Sequence, residues 1–147
     1  MYIGADLVPT DINKTLFENG NGEAFVGTEL YEILKQSDLN VFNLEVPLTD
    51  IETPIVKFGN NLIAPTKTIN GYKALEPLFL TLANNHSLDQ GVEGLTTTLN
   101  LLKQHKIAHA GAGANLKEAK KPFIFEKDDI RIGFYLCTEN EFTMATC

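Results

Sequence analysis

Three places in the chain put donor side chains directly after short apolar runs. Asp6 follows Tyr2-Ile3-Gly4-Ala5, Asn43 and Glu45 follow Leu39-Asn40-Val41-Phe42, and Asn84-Asn85-His86 follows Phe79-Leu80-Thr81-Leu82-Ala83. Carboxylates, amides and an imidazole are donor types that hydrolytic divalent cations use. In open α/β sheets, ligands bind beyond the carboxyl ends of the strands. If the three apolar runs are parallel strands, their ends bring these groups to one edge as a candidate metal site. Each residue also has a plain structural use. Asp6 can begin a loop, Asn43 can bond backbone at a strand edge, and Glu45 can be solvated ahead of Pro47. Asn84-Asn85-His86 can be turn chemistry, because Asn tolerates left-handed backbone.

Other residues carry weaker signals. Gly111-Ala112-Gly113-Ala114-Asn115 looks like a phosphate loop, but the dinucleotide pattern needs a third Gly where Leu116 stands. A tight turn into a short helix is the expectation there, and nucleotide binding ranks last. His105 falls at a helix C-terminus, where a partly positive ring suits the helix dipole. His109 falls in a strand. Glu139 and Glu141 follow the last strand and could approach the same sheet edge. Cys137 and Cys147 have no neighbouring His or Cys and match no zinc spacing. Two reduced thiols, with Cys137 packed in a strand, is the expectation.

The elements that must position these groups alternate between strand and helix. Strands are expected at Tyr2–Val8, Leu39–Leu44, Phe79–Ala83 and Ile107–Ala110. The run at Phe79–Ala83 suits a parallel strand buried on both faces. Phe123–Glu126 and Ile130–Cys137 read as a hairpin turning at Asp128-Asp129. One helix should start at a Thr28 cap and run to about Gln36, with Leu30, Ile33 and Leu34 inward. A second should run from Thr68 to Leu75, with Ile69, Tyr72 and Leu75 inward. A third should span Gly91 to His105, with Val92, Leu95, Leu99 and Leu102 inward and Asp89 or Ser87 at its start. Asn115–Lys120 fits one helical turn. Pro9–Gly27 reads as a loop, and Glu45–Pro65, with its prolines, as a long irregular excursion of the kind often used for function. Alternating strands and helices define an α/β domain with a largely parallel or mixed sheet.

The 147 residues suffice for one compact core. With 44% hydrophobic and 21% charged residues, the composition is that of a globular protein. The net charge of −7 and the lack of a Lys/Arg run, Lys120-Lys121 being the densest pair, argue against a nucleic-acid backbone binder. A phosphorylated ligand stays compatible, since a bound divalent cation reverses the local potential. No apolar run approaches the roughly 20 residues of a membrane span. No charged stretch and apolar core mark a leader at the N-terminus. That leaves a cytoplasmic protein or an envelope protein trimmed of its leader.

Four segments together resemble the bacterial CapA family of capsule and poly-γ-glutamate synthesis, within the calcineurin-like metallophosphatase superfamily. They are Ser37–Thr49 with its Asn43-Leu44-Glu45, Leu82-Ala83-Asn84-Asn85-His86-Ser87-Leu88-Asp89-Gln90-Gly91, Gly111–Ala119, and Ile130–Tyr135. They occur in family order across nearly the whole chain. The resemblance implies the N-terminal part of a metallophosphatase-like αββα sandwich with a mixed, mostly parallel sheet, residues 1–147 being one partial domain. It implies Asp6, Glu45 and Asn85 as metal ligands, Glu45 bridging two ions. His86 would be the catalytic histidine at the reacting phosphoryl group, with Asn43, Asn84 and Asp89 supporting from behind. The cofactor would be a divalent cation, Mn, Mg, Fe or Zn, activating water for in-line attack. The implied activity is a metal-dependent phosphoesterase on a phosphorylated or polymer-related substrate. The alternative is a non-catalytic component of a polymer synthesis or export assembly. Two departures from the family pattern stand out: Ala5 separates Gly4 from Asp6, and Val8 stands where the superfamily's first motif has His. Family domains are about twice this length, so further metal-ligand histidines are expected beyond Cys147. With about half a site, weak metal binding and self-association through exposed sheet edges are expected.

Overall fold

The computed structural model of the chain describes residues 1–139. Its first four strands are β1 (Tyr2–Asp6), β2 (Asn40–Asn43), β3 (Leu78–Thr81) and β4 (Ala108–Ala110). They form one parallel sheet in the order β1-β2-β3-β4. Right-handed crossovers in that sequential order stack the connecting helices on one face. These helices are α1 (Lys14–Glu18), α2 (Gly22–Val26), α3 (Thr28–Lys35), α4 (Ile69–Lys73, led by a 3-10 turn at Thr66–Thr68) and α5 (Gly91–Gln104). Strand side chains alternate between faces. Phe42, Leu78 and Leu80 meet Phe17, Leu34, Tyr72 and Leu102 of the helical layer. Val41 and Phe79 point the other way.

That second face is covered by an antiparallel hairpin, β5 (Phe123–Lys127) and β6 (Ile130–Phe134), which follows the single turn α6 (Leu116–Ala119). Phe79 is fully buried there, its ring stacked on Phe123 at 4.2 Å and tilted against Phe134 at 5.1 Å. The described residues therefore build helices, a parallel sheet and a second, antiparallel sheet layer: an α/β fragment with a mixed strand arrangement, as the sequence predicts. No helix among them is long and apolar enough to cross a membrane.

Several local expectations are corrected. Pro9–Gly27 is no plain loop, because α1 and α2 lie within it. Five-residue helices are too short to show a periodic stripe. They form because Phe17 is driven into the core, where it stacks on Phe25 at 4.2 Å and packs on Tyr72. Asn21 caps α2 by accepting from the Ala24 N–H. Thr28 does not cap α3. Gly27 holds that place, and the Thr28 hydroxyl donates to Glu23. Ile33 is 53% exposed and Val92 74% exposed. Leu102 is buried and Leu99 packs on the core as the sequence predicts, and Gly94 and Thr98 complete the inward face of α5, small at one end because the segment around Leu48 lies against it. The Thr98 hydroxyl accepts the Leu48 N–H at 2.9 Å and donates to the Gly94 carbonyl. Cys137 is exposed and lies beyond β6, not within a strand. Glu141 and Cys147 fall outside the described residues. His105 stands at the C-terminus of α5 as read from the sequence, and the helical turn expected at Asn115–Lys120 is α6, capped by Asn115.

Strand register matters most at β1. Ile3 pairs with Val41, yet Asp6 pairs with Asn43, so β1 spends one extra residue over the interval. A bulge of this kind re-aims the side chain that follows it. The residue Ala5, which separates Gly4 from Asp6, is thus absorbed, and Asp6 arrives opposite Asn43. Gly4 is needed beside it, since a Cβ there would lie 2.1 Å from the Phe42 ring.

Candidate functional site

At the carboxyl ends of β1, β2 and β3 the side chains converge on Asn43. Its amide nitrogen donates to Asp6 at 2.9 Å and to Glu45. Its carbonyl oxygen accepts from the Thr81 hydroxyl at 3.0 Å and from the Asn84 amide at 3.2 Å. The orientation is unambiguous, because two carboxylates can only accept and Thr81 and Asn84 supply the donors. Asn84 also donates to the Leu44 carbonyl at 2.9 Å. Its own oxygen takes the His86 N–H at 3.0 Å and the Ser87 hydroxyl at 3.1 Å. Both polar atoms of the Asn84 side chain are used in fixing the turn from β3 onto the Asn43 platform.

His86 is held from the opposite side. Its Nδ1 lies 2.7 Å from Asp89 Oδ2. Asp89 is fully buried and ion-paired with Lys57, whose side chain is 1% exposed. The Leu62 N–H donates to the same carboxylate at 2.6 Å. The Lys57 ammonium lies 3.1 Å from the same nitrogen, so Nδ1 faces the buried Asp89–Lys57 pair and Nε2 is turned outward. Nε2 is 3.9 Å from Glu45 Oε1. The two ring nitrogens thus face different surroundings, Nδ1 the buried Asp89 and Nε2 the Glu45 carboxylate.

Asp89 had been expected at the start of α5. That role is corrected. Gln90 holds the cap position without a side-chain bond, and Asp89 faces inward because a buried lysine and a backbone N–H need it. Lys57 is the residue of the candidate site that sequence reasoning missed. It is the only cation in the excursion between Glu45 and Pro65, and that was the available signal. Gln90 completes the latch. It accepts the Thr53 N–H at 2.8 Å and donates to the Leu62 carbonyl at 3.0 Å. The excursion is therefore tied down at both flanks of Lys57.

Asn85, half-buried, makes no side-chain hydrogen bond among the described residues. It lines a cavity of about 280 Å³ with Leu88, Leu95, Ala112 and Glu139. Glu139 does reach that edge of the sheet. Gly111, at φ 98, turns the chain there, and a Cβ on it would lie 2.7 Å from the Ala83 nitrogen. The Gly111–Asn115 segment is the tight turn the sequence predicts. His109 belongs to β4 and bonds the Ile107 carbonyl, away from Asn43.

Burial raises the Glu45 carboxyl above its ordinary range and the neighbouring Asp6 adds to this, while His86 and the Asn43 bond oppose it. The sign of the stability effect follows. A free Glu titrates near 4.5. Between that value and the raised native one, the folded chain holds the proton more tightly than the unfolded chain. Stability therefore falls as pH rises through this window, and the deficit persists above it. Glu45→Gln keeps the bond from Asn43 and removes the charge. The variant should melt above the wild type at neutral pH, with the gap closing as pH drops through the carboxylate range. A variant that melts lower at pH 7 in metal-free buffer contradicts this.

Two converging carboxylates with uncompensated charge are what a divalent cation relieves, and their oxygens suit Mn or Mg. A catalytic site usually takes at least three protein ligands. Among the described residues no set of three His, Cys, Asp or Glu side chains is spaced to hold an ion. The residues fit such a cation as one side of a site.

Comparison with known proteins identifies the family. The family described as bacterial capsule synthesis protein PGA_cap matches residues 3–146. The chain is 30% identical over 117 residues to the capsule biosynthesis protein CapA of Bacillus anthracis, covering 78% of this chain and 28% of that protein. It is 27% identical over 129 residues to the PGA biosynthesis protein CapA of Bacillus subtilis, covering 86% of this chain and 33% of that one. An uncharacterized protein, y4sH, of Sinorhizobium fredii is 31% identical over 131 residues, covering 86% of this chain and 28% of that one. The chain spans about a third or less of these relatives. The motifs, the parallel sheet that carries them and the match across almost every residue lead to one conclusion: the chain belongs to the bacterial capsule synthesis protein family PGA_cap.

Proposed function

We propose that the chain is the N-terminal part of a metal-dependent phosphoesterase-like protein that acts in capsule or poly-γ-glutamate synthesis. The observation that carries this reading is the joining of Asp6 and Glu45 through Asn43, with His86 Nε2 facing Glu45. Asp6 and Glu45 would hold a divalent cation, with Asn85 nearby on the same edge. When bound, the cation supplies charge neutralisation at the phosphoryl oxygens and a water of lowered pKa. Asn43 keeps the two carboxylates at a fixed separation. Asp89 and Lys57 hold the His86 ring so that Nε2 can exchange a proton with the reacting phosphate or its leaving oxygen.

A second reading has its own support. With only two carboxylates gathered and no three-ligand set among the described residues, the protein would serve as a non-catalytic component of a polymer synthesis or export assembly. A generic phosphate diester, assayed with the intact protein in Mn²⁺ or Mg²⁺, separates the two. Hydrolysis predicts that Glu45→Gln and His86→Ala each lower turnover at least about 100-fold with folding retained. Absence of turnover in the intact protein leaves the assembly role.

A further inference from the structure

Lys103, Lys106, Lys117, Lys120 and Lys121 place five of the chain's 12 basic residues in a short stretch whose one acid is Glu118. The rest of the chain is correspondingly more acidic than its net −7 suggests. Of the other seven, Lys14, Lys35, Lys57, Lys67, Lys127 and Arg131 make ion pairs and Lys73 does not among the described residues. None of the five does so among the described residues. Spread over two helices, turns and the approach to β5, they make no run longer than the pair Lys120-Lys121. The fold gathers part of them. Lys103 of α5 and Lys121 before β5 line one groove of about 390 Å³ together with His109. The groove follows the outer side of β4, the edge strand of the parallel sheet.

The two lysines of this groove are without an ion-pair partner among the described residues. Glu118 lines it too and keeps its charge, its carboxylate accepting the Ala114 N–H at 3.1 Å and the Asn115 amide at 3.4 Å. His109 donates through Nδ1–H to the Ile107 carbonyl at 2.8 Å, which leaves Nε2 unpartnered among the described residues. Ala112 and Gly113 line both this groove and the cavity that holds Asn85. A chain lying in the groove would therefore lead toward the candidate site.

We propose that this groove docks an acidic polymer, a chain of glutamate carboxylates that pair with Lys103 and Lys121 while its backbone runs along β4. Nucleic acid fits less well. Single-strand binders stack bases on free aromatic faces, and the one aromatic side chain here, Phe123, is already stacked on Phe79. The proposal rests on a role in poly-γ-glutamate synthesis and is independent of hydrolysis at Glu45.

The test is calorimetric titration of the intact protein with a short γ-linked oligoglutamate, and with a single-stranded oligonucleotide of equal charge, at low and moderate salt. Oligoglutamate is expected to bind saturably. Lys103→Glu with Lys121→Glu should weaken it about tenfold or more and flatten its salt dependence. Lys14→Glu with Lys35→Glu makes the same change in net charge away from the groove and should leave affinity unchanged. All four lysines sit at the surface, and circular dichroism checks that both double variants fold. Three results overturn the proposal: no saturable binding by the wild type, equal weakening by both double variants, or tighter binding of the oligonucleotide. Loss of phosphoesterase activity in Glu45→Gln with oligoglutamate binding intact would separate the two functions.

Discussion

Asp89→Ala is expected to cost about 3–5 kcal/mol of folding stability, the range for breaking a buried ion pair by removing one partner. Asp89 accepts from the Lys57 ammonium and the Leu62 N–H, and His86 Nδ1 lies 2.7 Å from its Oδ2. With the carboxylate gone, the ammonium is left in a site where its side chain is 1% exposed. The Leu62 N–H loses its partner as well. Domains of this size have about 5–15 kcal/mol in total, so the variant should populate the unfolded state at modest urea concentrations. Urea unfolding at pH 7 measures the loss, and one below about 1 kcal/mol would show that the pair is solvated. A paired replacement, Lys57→Met with Asp89→Leu, should recover much of the loss, because a desolvated pair is often no better than apolar side chains of similar size. The recovered fold should still lack an anchored His86, so stability and activity should separate in that variant.

The second large effect lies on the opposite face of the sheet. Phe79→Ala removes a fully buried ring that stacks on Phe123 and packs on Phe134. Truncation of a buried Phe costs about 3–5 kcal/mol through lost burial and the cavity left behind. The damage should be local as well as global. The core on this face is small: Leu39, Val41 and Phe79 are its fully buried members. The hairpin is held to the parallel sheet mainly through this cluster. Amide exchange in β5 and β6 should therefore speed up more than exchange in α4, whose Ile69 and Tyr72 belong to the larger core on the helical face. Uniform acceleration across both faces would contradict a separable hairpin layer.

The architecture was legible where apolar runs had strand or helix length. Val41, Phe79 and the hairpin turn at Asp128-Asp129 fall where pattern and turn chemistry put them. The Asn43–Glu45 and Asn84–His86 groups were legible because parallel strands deliver their ends to one edge. What the sequence hid were contacts made across long separations. Lys57 and Asp89 are 32 positions apart, and nothing local marks either as the other's partner. Asp89 looked like a helix cap because helix caps and buried carboxylates share one residue type. α1 and α2 were invisible because five residues show no period, and their reason for forming is Phe17 entering a core built largely from later segments. The register of Asp6 could not be read from spacing alone, since an added residue either shifts a side chain to the other face or is absorbed in a bulge. Here the bulge absorbs it.

The claim at the centre is that Asp6, Asn43, Glu45 and His86 form one side of a divalent-cation site. Titration of Mn²⁺ into isotopically labelled protein, read by NMR, tests it without requiring turnover. Paramagnetic broadening should appear first at the Asn43 side-chain amide and at His86, and should be lost in Glu45→Gln. Broadening that begins elsewhere, at exposed carboxylates such as Asp128 or Glu126, or that is unchanged in Glu45→Gln, would contradict the site.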